Sequence, residues 1–433
     1  MSVAFDIALV VASALVLLAI MGGVKWLGSR FSWRPELQRK GVHVATGLYA
    51  TCLPFMFTQL WPVLLLLAMS GTAMLVLRHP RLAKTGIGAT LHGVERKSYG
   101  ELLLAAAIGI VFALSLGKPV LYVLPMAVLT LSDAAAALIG TAYGRHLFAV
   151  EAGNKSAEGV AAFFLVTWIV AMVVLLLASD IDRANVVLLS VVIAAFGAIV
   201  EADSWRGFDN LFVPVGIHLF LASHLQTAPL ELLLLAVGFA VVLLAMLAIA
   251  RILGLSAHSV RAHTVLVFLI CAVTAPHNAI LPVIAVLAHL AVGRIRPCQS
   301  AYPNLDFLAA VAAAALFWLL VGEVTRVNAL NAYNLTFAGA ALAFLMLAAG
   351  HRLLLVGAAA VGLAALVFTI TGWNAVRTDG QSLPWPWIVA SFLPCLLVPL
   401  RWPAFLDRYR GPRTLALAMA VPMAAFVSIA MRP

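Results

Sequence analysis

Apolar blocks of roughly 17–22 residues recur along the whole chain, separated by short polar segments. They run near 5–24, 42–59, 60–77, 100–116, 120–140, 158–178, 184–200, 208–224, 231–250, 262–275, 276–293, 304–322, 331–350, 352–372, 385–400 and 414–431. At about 1.5 Å of rise per residue, a helical block of this length crosses a hydrocarbon core of ~30 Å. The pattern predicts an all-α fold, a polytopic transmembrane helical bundle of about sixteen spans, within a range of about 14–16. The first block has no small-residue cleavage site and begins beside Asp6 rather than a basic region, so it reads as a span and not as a cleaved signal.

The polar positions fall unevenly. Nearly all polar clusters lie before about residue 228, and the remainder of the chain is apolar spans joined by short loops. The stretch "LQTAPLE" marks the predicted boundary between a membrane-embedded catalytic domain, 1–228, and an additional transmembrane helical domain, 229–433. No repeat of fixed period and no soluble domain is visible.

Composition agrees with the pattern. Of 433 residues, 64% are hydrophobic and 10% charged, against about a quarter charged in soluble domains. The net charge of +10 could suggest nucleic acid, but its placement excludes that. With the N-terminus outside, alternation of the spans puts all of the 27 Lys and Arg on one side except Lys118, Arg183, Arg326, Arg377 and Arg432. Such a bias marks cytoplasmic loops, and predicts a multi-pass protein of the cell inner membrane with its polar clusters on the cytoplasmic face. Cys52, Cys271, Cys298 and Cys395 lie far apart, a spacing that supports neither a disulfide framework nor a metal site.

Four clusters carry candidate chemistry. In "ELQRKGVHVATGLYA", Arg39, His43 and Gly47 recur at helical spacing and share a face. A basic collar would account for Arg39 and Lys40; a phosphate-holding pair beside His43 is the functional alternative. In "LHGVERKSYGELL", Glu95, Arg96, Lys97 and Glu101 crowd the start of a span that Ser98 can cap. In "DAAAALIGTAYG", Asp133 stands inside a span, and Gly140 and Gly144 come after it within about 20° of the same line on a helix. Glycines so placed permit close approach of a helix or a ligand, and an intramembrane carboxylate usually lines a cavity or a site. Lys155, Ser156 and Glu158 then precede a span, near a helix N-terminus that favours phosphate. The order is not that of a Walker loop. In "EADSWRGFDNLFVPVGIHL", Glu201 and Asp203 end one span, and Asp209 and Asn210 begin the next. Asp209 alone would pass for a helix cap. Together the clusters offer cationic phosphate holders and several carboxylates on one face, the inventory of metal-dependent phosphoryl transfer.

The order "RKGVHVATG", "SYGE", "DAAAALIGTAYG", "KSAEG" and "FDNLFVP" resembles the CTP-dependent isoprenoid-alcohol kinases, the dolichol kinase and phytol kinase group, itself related in pattern to phosphatidate cytidylyltransferases. The resemblance covers roughly residues 34–220, and Ala134 stands where family members often carry Gly. It implies CTP as phosphate donor, Mg²⁺ or another divalent cation, and a lipid alcohol as acceptor, with the bilayer as the enzyme's medium. Carried onto this sequence, it implies catalytic roles for Asp133, Lys155, Asp209 and His43. Arg39, Lys40, Gly140, Gly144, Ser156, Glu158, Gly159 and Asn210 become the nucleotide and phosphate contacts, and Asp133, Glu158 and Asp209 the metal ligands. Whether Asp133 or Asp209 accepts the hydroxyl proton, and whether His43 touches phosphate or carries a proton, stay open. Two rivals remain. A cytidylyltransferase would attack the α-phosphorus, but its pattern continues past KxxEG with glycines, where this chain reads "VAAFFLV". A transporter would show matching broken helices in two halves, whereas these clusters occupy one half.

Overall fold

The computed structural model of the chain describes residues 2–77, 100–150, 153–350, 352–375 and 385–430. The predicted cluster at Glu95, Arg96, Lys97 and Ser98 lies outside them. The fold is an all-α helical assembly with one small hairpin. It divides into two compact units, Met1–Ile249 and Ala250–Pro433.

In the first unit the helices are α1 (Val3–Arg30), α2 (Pro35–Thr51), the single turn α3 (Leu53–Met56), α4 (Leu60–Leu77), α5 (Gly100–Leu114) and α6 (Val120–Tyr143). Strands β1 (Leu147–Val150) and β2 (Gly153–Ser156) come next, then α7 (Ala157–Ala178), α8 (Arg183–Asp203), α9 (Asp209–His224) and α10 (Pro229–Leu253), which carries the unit boundary. The second unit holds α11 (Ala257–Val273), α12 (Ile280–Ile295), α13 (Pro303–Thr325), α14 (Leu330–Ala349), α15 (Leu353–Asn374), α16 (Trp385–Arg401) and α17 (Arg410–Ala430).

Among the described residues, ten helices are long and apolar enough to cross a membrane, and four shorter apolar helices accompany them. Two predicted blocks, 42–59 and 208–224, fall instead on α2–α3 and α9; Arg39 and Lys40 lie in the second turn of α2 and Asp209 opens α9. Apolar side chains such as Leu165, Ile169, Val173 and Leu177 stay exposed along α7. In water that would be a defect; in a bilayer it is the lipid-facing surface.

The first unit is built around α6, which packs on α2, α5, α7 and α9. Proline helps to set these contacts. Pro125, inside α6, has no N–H to offer the carbonyl of Leu121, and Nδ1 of His218 on α9 takes that carbonyl instead at 2.9 Å. The Tyr122 hydroxyl donates to the carbonyl of Ala50 at 2.9 Å, a group that Pro54 likewise cannot serve. Farther along the same seam, α2 meets α6 at Gly47. A Cβ there would stand 2.3 Å from Thr130 Oγ1 and 2.6 Å from its Cγ2. Gly47→Ala is therefore expected to force α2 off α6 and to lower stability by about 1–3 kcal/mol, the usual cost of overpacking. Adding Thr130→Ala should recover most of that loss. Thermal denaturation in detergent checks it, and a double variant no more stable than Gly47→Ala alone would refute the contact.

The second unit is organised on α14, which packs against α12, α13, α15, α16 and α17. Nearly every residue from Leu330 to Leu347 is buried, as expected for a helix apolar on all sides. Its few polar residues bond inward: Asn334 Nδ2 donates to Asn278 Oδ1 at 2.8 Å, and Asn374 Nδ2 donates to the same oxygen at 2.8 Å.

Candidate active site

Residues from three of the four clusters meet at one end of the first unit. Helices α6 and α8 end there, while α2, α7 and α9 begin there. Asp133 lies about ten residues before the end of α6, hence ~15 Å below it. Because Gly47 lets α2 lie close to α6, the α2 face bearing Lys40, His43 and Gly47 turns toward Asp133. Lys40 Nζ donates to Asp133 Oδ2 at 2.6 Å, and His43 Nε2 is 3.3 Å from the same oxygen. Lys40 is only 4% exposed. A buried ammonium of this kind is tolerable only when paired, so Asp133 and Lys40 require each other.

Arg39, which the helical spacing grouped with His43 and Gly47, points elsewhere. Its guanidinium forms a fork with Glu36 on the same helix, Nη2 to Oε1 at 2.6 Å and Nε to Oε2 at 3.1 Å. It is more exposed than Lys40, so it forms the rim of the site and Lys40 the floor.

The hairpin delivers the second cation. In register, Leu147 pairs with Ser156 and Phe148 with Lys155, and Gly153 turns the chain at φ +138°, a value that suits glycine. Lys155 thereby reaches α8, where its Nζ donates to Glu201 Oε1 at 2.6 Å and to the Glu201 carbonyl at 3.1 Å. Burial works to lower the Lys155 pKa, but the Glu201 carboxylate outweighs it and raises the pKa above its ordinary value. Lys155 is thus a fixed positive charge at neutral pH, and it also lies in the fields of Asp209 and Asp133.

Asp209 completes the group. It opens α9, where its N–H donates to Ser204 Oγ at 2.6 Å. Phe208, not Asp209, occupies the cap position. The turn before it passes through Arg206 at φ +53° and Gly207 at φ +88°. Asp209 sits within electrostatic reach of Asp133, Lys155 and Lys40, and no side chain among the described residues hydrogen-bonds its carboxylate. Asn210 is beside it, and Pro214 leaves the Asn210 carbonyl without its usual helical donor.

The remaining predicted residues do structural work. Ser156 caps α7, its Oγ accepting from Gly159 N–H at 3.1 Å. The close approach that Gly140, Gly144 and Gly159 allow is to this cap. A Cβ on Gly144 would stand 2.8 Å from Ser156 Cβ, and one on Gly159 3.0 Å from the Ala136 carbonyl. Glu158 turns away to the hairpin base, where the His146 N–H donates to its Oε1 at 3.1 Å and the His146 ring nitrogen Nδ1 lies 2.7 Å from it. Glu201, an end-of-span acid in the sequence, becomes the direct partner of Lys155.

Among the described residues no three His, Cys, Asp or Glu side chains are grouped to hold a metal ion. That does not disqualify Mg²⁺, which commonly takes one or two carboxylates and completes its shell with water and substrate phosphates. Asp133 and Asp209 fit such a donor set; Glu158, committed to His146, does not.

Over 192 residues the chain is 31% identical to a phytol kinase from Synechocystis sp., a match that spans 43% of this chain and 79% of that kinase. No family model matches the chain, and no solved structure matches it.

Proposed function

We propose, for a chain that belongs to the phytol kinase and dolichol kinase family, that it transfers the γ-phosphate of CTP to the hydroxyl of a long-chain isoprenoid alcohol at the cytoplasmic membrane face. The observation that carries this reading is the convergence of two buried lysine–carboxylate pairs, Lys40–Asp133 and Lys155–Glu201, with Asp209 at one end of the helices. A membrane protein does not sequester such charges without use for them.

In this reading the alcohol's chain lies among the spans and its hydroxyl rises to the level of Asp133 and Asp209. Its oxygen attacks the γ-phosphorus, the bond to the β–γ bridging oxygen breaks, and CDP leaves. Asp209, unengaged by other side chains, accepts the hydroxyl proton. Lys155 and Lys40 neutralise phosphate charge as point charges, and the dipole at the start of α7 adds to them. Asp133, held by Lys40 and neighboured by His43, would hold Mg²⁺, which would offset charge on the phosphate oxygens. Holding hydroxyl and phosphate in line supplies much of the acceleration. His43, with Nε2 3.3 Å from Asp133, is a further phosphate contact.

The reading is tested with purified protein, CTP or ATP, and a panel of phytol, farnesol, geranylgeraniol and a longer polyprenol, with lipid products identified by mass spectrometry. A lipid monophosphate formed with CTP and not with ATP is the expected result. An ATP-only product would contradict the donor, and no phosphorylated lipid from any member would contradict the acceptor class.

A further inference from the structure

A separate polar cavity of about 300 Å³ lies in the second unit. Its walls come from the C-terminal end of α12, the start of α13, the start of α17 and the Gly254–Leu255 turn before α11. Arg294, Arg410, His289 and Asn304 supply the polar wall, and Leu255 and Leu290 part of the apolar one; no acid lines it.

Two of these groups are buried in a manner that calls for a ligand. Arg410 is 1% exposed. Its Nε and Nη2 donate to the carbonyls of Leu406 at 3.3 Å and Arg296 at 2.6 Å, while Nη1 has no partner. Asp407, which could have balanced the charge, forms a two-pronged pair with Arg296 at 2.5 and 2.8 Å. His289 is 2% exposed, stacks on Phe307 with ring centroids 4.2 Å apart and is hydrogen-bonded to the Asn304 side chain, with Nδ1 left without a partner. A buried guanidinium whose neighbouring carboxylate is engaged by another arginine is costly, and its Nη1 N–H left unmade costs its full desolvation. An anion in the cavity removes both costs.

The geometry points to a phosphate-binding site in the second unit, separate from the first unit's kinase site and suited to a phosphate monoester. The tetrahedral anion faces Arg410, Arg294 and His289, with the starts of α13 and α17 adding their dipoles. The ester carbon lies along Leu255 and Leu290. A cavity of this size exceeds what one phosphate group fills, and its mixed walls match a charged head joined to a hydrocarbon.

The full chain in detergent tests this by thermal shift with inorganic phosphate, monohexyl phosphate and hexanol as probes. Both phosphate-bearing probes are expected to raise the melting temperature, and hexanol is not. The shift should persist in Lys155→Ala, which weakens the first unit's own phosphate site, and disappear when Arg410→Gln is added to Lys155→Ala. Because Arg410 is buried and its variant could fail to fold, Arg294→Ala provides the second reading, with affinity about tenfold weaker, the worth of one charged contact. Monohexyl phosphate acting at lower concentration than inorganic phosphate would assign the site to a lipid headgroup, and equal potency to free phosphate; either upholds the site. No shift with either phosphate, or a shift lost in Lys155→Ala and intact in Arg294→Ala, would overturn it.

Discussion

Asp133→Asn is expected to lower kinase turnover by about a hundredfold or more, the usual cost of losing one charge-stabilising group at a reacting phosphate. The substitution preserves size and much of the hydrogen bonding but removes the charge that Lys40 meets at 2.6 Å. It should therefore also destabilise the protein, by about 3–5 kcal/mol if Lys40 is left buried and unpaired. The two effects separate in Lys40→Met/Asp133→Asn, where the charge pair is gone as a unit. That double variant should regain much of the lost thermal stability and none of the turnover. Recovery of both together would make Asp133 a packing partner of Lys40 and nothing more.

Lys155→Ala carries the second large effect. Its side chain is partly exposed at the end of the helices and leaves no cavity in the core, but its loss leaves the buried Glu201 carboxylate unpaired. The melting temperature in detergent should therefore fall, and Lys155→Ala/Glu201→Gln should recover that loss without recovering turnover. Turnover should again fall by about a hundredfold, and Lys155→Arg should restore part of it, since a guanidinium keeps the charge and changes the geometry. Glu201→Gln gives a pH signature of the same contact. The wild-type ammonium is held above its ordinary pKa because Glu201 outweighs burial. With that carboxylate neutralised, burial dominates and the pKa drops. Activity of Glu201→Gln should accordingly decline with rising pH earlier than that of the wild type, as Lys155 loses its proton. Coincident alkaline limbs in the two proteins would contradict the role of Glu201.

The helices were legible because a bilayer demands about twenty apolar residues for each crossing, a signal strong enough to need no partner. Asp133 stood out for the same reason, as a carboxylate inside such a run. What the chain could not reveal were matters of rotation and pairing. Spacing grouped Arg39 with His43 and Gly47, but Thr130 packs on Gly47 and so decides which side of α2 faces inward. That rotation exchanges Arg39 for Lys40. Glu201 reads as one of two acids ending a span, and its pairing with Lys155 depends on a hairpin whose strands are too short to leave a pattern. The glycines at 140, 144 and 159 signal close approach, but that Ser156 is what approaches depends on the folded hairpin. Glu158 illustrates the converse: a motif position close to Lys155 in sequence whose carboxylate closes the hairpin base on His146. In the second unit, Asn278, Asn334 and Asn374 are isolated letters far apart in the chain, and their shared network appears only when α14 and α15 pack.

The central claim, that buried lysines and carboxylates at one end of the first unit direct γ-phosphoryl transfer to a lipid alcohol, is tested most directly by the fate of labelled CTP. Purified protein is incubated with an isoprenoid alcohol and CTP labelled either at the γ- or at the α-phosphate, and label is counted in the extracted lipid. Label entering lipid from γ-labelled CTP alone, and lost in Asp133→Asn and Lys155→Ala, is the predicted result. Label entering from α-labelled CTP and not from γ-labelled CTP would contradict it, and would mark the site as a cytidylyltransferase.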